Sequence, residues 1–372
     1  MIKILHILNS FSGGGAERMV IDLCNNSSSK YEHQICILGG SQNAYENFLN
    51  PTTKVYYLSR LNQESKTGRR LSRLIIKENI KIVIAHMVQV HRFVFSSIFF
   101  IPKVKLLLVH HNNLKSYLEQ YFSNKIKRYI VKKWLEIVHL RADAVVGVAA
   151  ETTVALDLIS DLSKCHTIYN PVNHDMILEK MMEDPPREMA RFIDDSEYTL
   201  CTMGRLKPQK GYLDLLSGLL KIRKRLDCSL IIMGDGPMKE EILAQAKSLG
   251  ISKKLYISGF IENPWAIIKS CDAYVSSSRW EGFYLSGIEA MICHTPCVLS
   301  DCDYGPREYI EDGVNGFLYK INNMDEFSEK LYKLLKSGSL QNKFIQSSLE
   351  ASKKFSLKKA REDYEKLFDG IL

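Results

Sequence analysis

The sequence predicts an α/β protein built from two doubly wound parallel-sheet domains. Three observations lead there. Short Val/Ile/Leu-rich runs alternate with helical patterns from end to end, as expected of strands covered on both faces of a parallel sheet. The length of 372 residues exceeds what one core ordinarily fills. The alternation breaks once, near Asn170-Pro171-Val172-Asn173, and the polar stretch Glu183-Asp184-Pro185-Pro186 follows, which reads as linker.

In order along the chain, the first domain has strand candidates at residues 3–8, 34–38, 54–58, 82–86, 105–110 and 144–148. The second has them at 198–203, 229–233, 254–257, 273–276 and 296–299. Helical stretches between them imply βαβ units and Rossmann-like domains. The expected boundaries are 1–172 for the first domain, 173–195 for the linker and 196–356 for the second domain. A terminal helix at about 357–372 is available to pack back on the first domain.

Composition narrows the class. The chain is 45% hydrophobic and 25% charged, which is globular. The opening apolar run is too short for a signal peptide, and the apolar stretch near 93–101 is about half the ~20 residues of a membrane span. A cytoplasmic protein, at most peripheral at the inner face of the cytoplasmic membrane, is expected. Nine dispersed cysteines fit reduced thiols. Cys293 and Cys297 flank His294, but a zinc site wants more ligands nearby, so they read as core thiols.

Charge is uneven. Residues 1–150 carry 21 Lys+Arg against 9 Asp+Glu, whereas residues after Lys180 carry 27 against 28. Different partners for the two halves are implied.

The chemistry concentrates after strand candidates of the second half. Gly204-Arg205-Leu206-Lys207-Pro208-Gln209-Lys210-Gly211 follows the strand at 198–203. Two cations there suit a diphosphate and would stabilise charge that builds on it as a leaving group. The alternative is a solvated turn with Pro208 starting a helix. Arg279-Trp280-Glu281-Gly282-Phe283-Tyr284-Leu285-Ser286-Gly287-Ile288-Glu289 follows the strand at 273–276. Glu289 offers two oxygens to a ribose diol, and Glu281, in the loop before it, would face a transferred sugar. Ser286 and Glu289 also have capping-box spacing. Ser12-Gly13-Gly14-Gly15-Ala16-Glu17-Arg18 lets the chain turn from the first strand into a helix whose free N–H groups suit a phosphate or an acceptor; a plain strand-to-helix turn is the other reading.

These motifs occur in order with His111-Asn112-Asn113, Ile168-Tyr169-Asn170-Pro171-Val172, Gly234-Asp235-Gly236-Pro237 and Gly305-Pro306-Arg307-Glu308. Together they resemble a retaining glycosyltransferase of family 4, of the bacterial surface-polysaccharide type, over nearly the whole chain. The resemblance implies the GT-B fold, two Rossmann-like domains facing a cleft. It implies a hexosyltransferase that moves a hexose or N-acetylhexosamine from a UDP-linked donor to a glycan or lipid-linked acceptor. Arg205 and Lys210 would hold the diphosphate, Glu281 the donor sugar and Glu289 the ribose. His111 would orient donor or acceptor from the first domain. Gly14, Gly15, Gly204, Gly259, Phe260, Ile261, Gly282, Phe283, Tyr284 and Leu285 complete the implied donor site. Tyr284 departs from the family, which often has a small residue there; a phenol should narrow the sugar pocket or change its hydrogen bonds. Ala149 stands where Ser is common.

No covalent nucleophile is evident, so same-face attack is expected, with the departing β-phosphate accepting the acceptor's proton. No metal site and no cofactor beyond the nucleotide sugar are expected; Asp301-Cys302-Asp303 has metal-like spacing but reads as a loop. The rival readings are a sugar-nucleotide epimerase and a catalytically silent partner subunit.

Lys66, Arg70, Arg73 and Lys77 share one helix face, as do Lys125, Arg128 and Lys132. Phe122, Ile126, Tyr129, Ile130 and Trp134 lie near the second set. Cationic stripes flanked by apolar area suit an anionic membrane surface; an ordinary solvated face is the alternative. No nucleic-acid-binding module is recognisable.

Overall fold

The computed structural model describes the chain except residues 12–14, 40–45, 59–63, 99–100, 102, 112–113, 282 and 304, and except the side chains of residues 64–66, 92, 115–116 and 120. Ser12, Gly13, Gly14, Asn112, Asn113, Gly282 and the side chain of Lys66 therefore lie outside the described residues. The chain forms two compact units, Met1–Pro171 with Leu357–Leu372, and Val172–Ser356.

The first unit is built on seven strands: β1 (Ile2–Leu8), β2 (Tyr31–Ile37), β3 (Val55–Tyr57), β4 (Ile82–His86), β5 (Lys105–His110), β6 (Ala144–Gly147) and β7 (Cys165–Thr167). They lie parallel in the order β3-β2-β1-β4-β5-β6-β7. The order reverses between β1 and β4, which makes that pair the topological switch point. The inner strands are continuous apolar runs because helices cover both faces; β4 is buried at every residue.

The second unit has six parallel strands: β8 (Tyr198–Met203), β9 (Cys228–Met233), β10 (Leu255–Gly259), β11 (Ala273–Ser276), β12 (Cys297–Ser300) and β13 (Phe317–Tyr319). Their order is β10-β9-β8-β11-β12-β13, with the switch between β8 and β11. Its core packs Leu200, Leu230, Ile232 and Val275 against Leu215, Leu219, Phe327 and Leu331.

Residues 173–195, expected as linker, carry two helices, His174–Lys180 and Arg187–Asp194. The Asn173 side chain caps the first by accepting from Met176 N at 3.2 Å. Pro186 sits just ahead of the second, where its missing N–H removes no helical bond. The final helix, Leu357–Ile371, packs on the first unit: Lys30 Nζ meets Asp369 at 2.5 Å, Glu365 accepts from Ser28 N at 2.9 Å, and Phe368 packs edge-on against Tyr31.

Candidate active site

The two loops singled out in the second half leave β8 and β11, the strands that flank the switch point. Open parallel sheets bind ligands there, beyond the carboxyl ends of the strands. Gly211 joins the first loop to the helix Tyr212–Ile222 in a left-handed conformation, φ 62°. A Cβ there would lie 2.2 Å from the Ser277 carbonyl oxygen, so the site demands glycine on both conformational and steric grounds.

The loops are stitched together. Ser277 Oγ donates to the carbonyls of Lys210 (3.0 Å) and Gly211 (2.8 Å). Gln209 Nε2 donates to the Trp280 carbonyl at 2.7 Å, and the Arg279 amide donates to the Gln209 carbonyl at 2.8 Å. Gln209 and Ser277 went unremarked in the sequence, because a bond between loops about 70 residues apart has no local pattern.

Lys210 Nζ lies 2.7 Å from Glu281 Oε1, with side chains 16% and 7% exposed. The ammonium also sits 4.5 Å from the centroid of the Tyr284 ring. Burial alone would lower the Lys210 pKa, but Glu281 and Tyr284 outweigh it and hold it above the usual lysine range. Arg205, on the same loop as Lys210, is exposed. Tyr284 is buried and its hydroxyl lies 3.0 Å from that of Tyr274, which in turn accepts from Met203 N at 3.0 Å. The Tyr284 hydroxyl is thus engaged by Tyr274, a residue the sequence did not suggest.

Glu289 is half-buried and accepts from Trp265 Nε1 at 3.3 Å. The helix that carries it runs Leu285–Ile292, with Tyr284 as the last residue before it. Ser286 is therefore inside the helix, not at its cap, and its hydroxyl points to the Met203 carbonyl at 3.5 Å. The capping box is not formed. Only the last five positions of the span from Glu281 to Glu289 are helical, so the ~1.5 Å helical rise does not measure their separation. Phe283 turns its ring into a cluster with Phe355 and Tyr309, its carbonyl accepts from Leu285 N at 3.0 Å, and Leu285 is half-buried. Gly259, at the end of β10 with φ 74°, leads into Phe260, which is 77% exposed, and half-buried Ile261. Gly204 sits directly after β8, its carbonyl accepting from Tyr212 Oη at 2.9 Å. Asp301 is engaged by Arg307, with Nη2 to Oδ2 at 2.9 Å. Cys293 and Cys297 are buried free thiols raised well above their usual pKa by burial.

In the first unit Gly15 opens the helix Gly15–Asn26. His111 directly follows β5 and is buried. It ends a file of four imidazoles: His33 Nδ1 to His6 Nε2 at 2.7 Å, His6 Nδ1 to His86 Nε2 at 3.0 Å, and His86 Nδ1 to His111 Nε2 at 3.0 Å. Burial and the neighbouring His91 bring His111 down to about 3, so it is neutral near pH 7 and acts as a hydrogen-bonding group, not as a cation. His6 and His86 bridge the switch-point strands β1 and β4.

The cationic helix faces are accessible in part. Arg70, Arg73 and Lys77 are exposed on the helix Glu64–Glu78, and Lys125 is exposed on the helix Lys125–Arg141. Arg128 and Lys132 are half-buried, Arg128 Nη2 donating to the Ser123 carbonyl at 3.3 Å. Ile126, Tyr129 and Ile130 are 69%, 62% and 59% exposed. Phe122 and Trp134 instead pack inward against Leu118, Leu135 and Ile159. Among the described residues no helix is long and apolar enough to cross a membrane.

Two family models match the chain, one described as Glycosyltransferase Family 4 over residues 13–176 and one as Glycosyl transferases group 1 over residues 187–350. The chain is 25% identical over 247 residues to a Campylobacter jejuni N-acetylgalactosamine-N,N'-diacetylbacillosaminyl-diphospho-undecaprenol 4-alpha-N-acetylgalactosaminyltransferase, covering 65% of this chain and 64% of that protein. It is 33% identical over 191 residues to a Salmonella typhimurium lipopolysaccharide 1,6-galactosyltransferase, covering 49% of this chain and 50% of that protein. The matches thus span between half and two thirds of those relatives. Among solved structures, Anabaena HepE in complex with UDP superposes with a TM-score of 0.84 at 18% identity, covering 99% of this chain and 100% of that one. The apo lipopolysaccharide outer core galactosyltransferase WaaB superposes with a TM-score of 0.75 at 22% identity over the full length of both. The fold is GT-B.

Proposed function

The chain belongs to glycosyltransferase family 4, and on that premise we propose that it transfers a hexose or N-acetylhexosamine from a UDP-linked donor to a lipid-linked or surface-glycan acceptor, with retention and without a metal. The observation that carries the reading is the buried Lys210–Glu281 pair at the switch point of the second unit. A lone ammonium and a lone carboxylate are costly to bury and are kept together there. An incoming diphosphate would take over the ammonium, with Arg205 as the second cation, and release Glu281 toward the sugar hydroxyls. Glu289 would clasp the ribose, and the Gly259–Phe260–Ile261 turn, with its exposed ring, would meet the base.

In the reaction the bond between the anomeric carbon and the β-phosphate oxygen breaks. The acceptor hydroxyl attacks the same face, and its proton passes to the departing β-phosphate. Lys210 and Arg205 stabilise the charge that grows on that phosphate. Gly14 and Gly15 would approach the donor phosphate or the acceptor, and neutral His111 would orient donor or acceptor. UDP-bound and UDP-glucose-bound crystal structures of HepE, and the undecaprenol-diphosphate acceptor in the name of the Campylobacter relative, support the choice of donor and acceptor class.

A thermal-shift screen of UDP-, GDP- and ADP-sugars tests the donor, since a bound ligand raises apparent stability. UDP-sugars should shift the melting point and the others not. Donor consumption in the absence of any acceptor would favour an epimerase. Activity lost in chelator and restored by Mn²⁺ or Mg²⁺ would sink the metal-free reading. For the acceptor, the exposed Arg70, Arg73, Lys77 and Lys125 beside Ile126, Tyr129 and Ile130 suit an anionic lipid surface. The protein should pellet with anionic but not neutral vesicles and be released by salt. Absence of pelleting would point to a soluble acceptor.

A further inference from the structure

A second set of histidines in the first unit remains unused by that reaction. His91 lies near the start of the helix Val88–Ile98, His110 ends β5, and His139 lies in the last turn of the helix Lys125–Arg141. All three are buried, at 0%, 1% and 2% exposure. One ring nitrogen from each comes within 4.8 Å of the other two.

Their hydrogen bonding is incomplete. His91 Nε2 lies 3.1 Å from the Ala85 carbonyl oxygen and 3.2 Å from that of Val109. Both carbonyls accept, so Nε2 carries the proton and Nδ1 presents a bare lone pair. His110 Nε2 and His139 Nε2 are 3.2 Å apart. The Nδ1 atoms of all three rings are buried with no hydrogen-bond partner among the described residues. A buried acceptor left bare, as His91 Nδ1 is, costs roughly 1–3 kcal/mol unless a ligand meets it.

From this geometry we propose that His91, His110 and His139 bind one divalent transition-metal ion of the zinc type. Ligand nitrogens about 2.0–2.1 Å from a tetrahedral zinc are roughly 3.3–3.4 Å apart, close to the observed 3.2 Å between His110 and His139 Nε2. His91 supplies Nδ1. Its bonds to the carbonyls of Ala85 and Val109 fix the ring in the way that outer-shell partners orient metal-bound imidazoles. Burial holds all three well below the usual histidine pKa, with repulsion from His91 adding to it at His110 and His139, and neutral imidazole is the form that coordinates.

A competing trio, His6, Cys24 and His33, also meets the spacing requirement. There, however, both nitrogens of His6 and both of His33 already have partners in His86, each other and Ser27. The ion would tie two helices to the end of β5, next to His111. It is separate from the donor loops and is assigned no part in the transfer step.

The test uses tag-free, full-length protein. After chelator treatment and desalting, Co²⁺ is added and the visible spectrum followed. One equivalent should bind with the intense d–d bands of a low-coordinate nitrogen site and be displaced by Zn²⁺. His139→Leu and His91→Leu should each weaken binding by more than the 10–100-fold typical of losing an outer-shell partner, while His33→Leu should leave it intact. Absence of cobalt bands in folded wild-type protein would overturn the proposal. So would a thiolate charge-transfer band, or binding lost in His33→Leu, either of which would move the ion to Cys24. The wild-type spectrum decides even where a leucine variant does not fold.

Discussion

Lys210 and Glu281, separated by 71 residues in sequence, meet at 2.7 Å across the ends of β8 and β11. The pair couples stability to the donor site. Lys210→Ala strands a carboxylate that is 8% exposed, and breaking a buried pair from one side costs about 3–5 kcal/mol. The double variant Lys210→Ala/Glu281→Gln should recover most of that loss in chemical denaturation. Turnover should stay down by roughly 10²–10³-fold in both, the usual effect of losing a donor to a developing anion. Turnover restored together with stability would give Lys210 a purely structural role.

Tyr284→Phe removes the hydroxyl 3.0 Å from Tyr274 Oη, which keeps its bonds to the Met203 backbone. A loss of about 1 kcal/mol is expected from a single buried hydrogen bond. Because Tyr284 Oη is turned to Tyr274, KM for the donor sugar should change less than threefold. A large change in KM would show that the hydroxyl reaches the sugar instead.

Acid should loosen the first unit. Burial holds His6 and His86 well below the usual histidine range and His33 at about 4. Unfolded, each titrates near 6.5. Protons therefore bind the unfolded chain first. The stability is fully present above about pH 6.5 and falls by roughly 1.4 kcal/mol per pH unit for each imidazole as pH drops toward the folded values. His111, held at about 3, adds a fourth; Asp22, raised to about 6 by burial against the pull of Arg18, takes up its proton earlier when folded and offsets about one of the four. Hydrogen exchange in β1, β2 and β4 should accelerate between pH 6.5 and 5, whereas β8 and β11 should change less. Equal protection of β1 across that range would refute the effect.

Most of the sheet was readable because buried parallel strands are apolar at nearly every position. The exceptions are β7, Cys165-His166-Thr167, and β13, Phe317-Leu318-Tyr319, three-residue edge strands too short to show a pattern. The helices at 174–180 and 187–194 were hidden by Pro185 and Pro186, which start a helix as readily as they break one. At the site, residue types on the two loops were legible. What held them was not: Gln209 with Trp280, Ser277 with Gly211 and Tyr274 with Met203 act across long sequence separations. The histidines at 6, 33, 86, 91, 110, 111 and 139 show no periodicity; they come from β1, β2, β4, the end of β5 and two helices, and only the fold makes them neighbours.

Val172 and Ser356, the first and last residues of the second unit, are bridged, and Val172 N donates to the Phe355 carbonyl at 2.8 Å. The polypeptide thus leaves and re-enters the first unit at one doorway. Residues 172–356 form a cassette whose ends already touch, suited to excision as a free-standing fragment or to exchange for the same cassette of another family member.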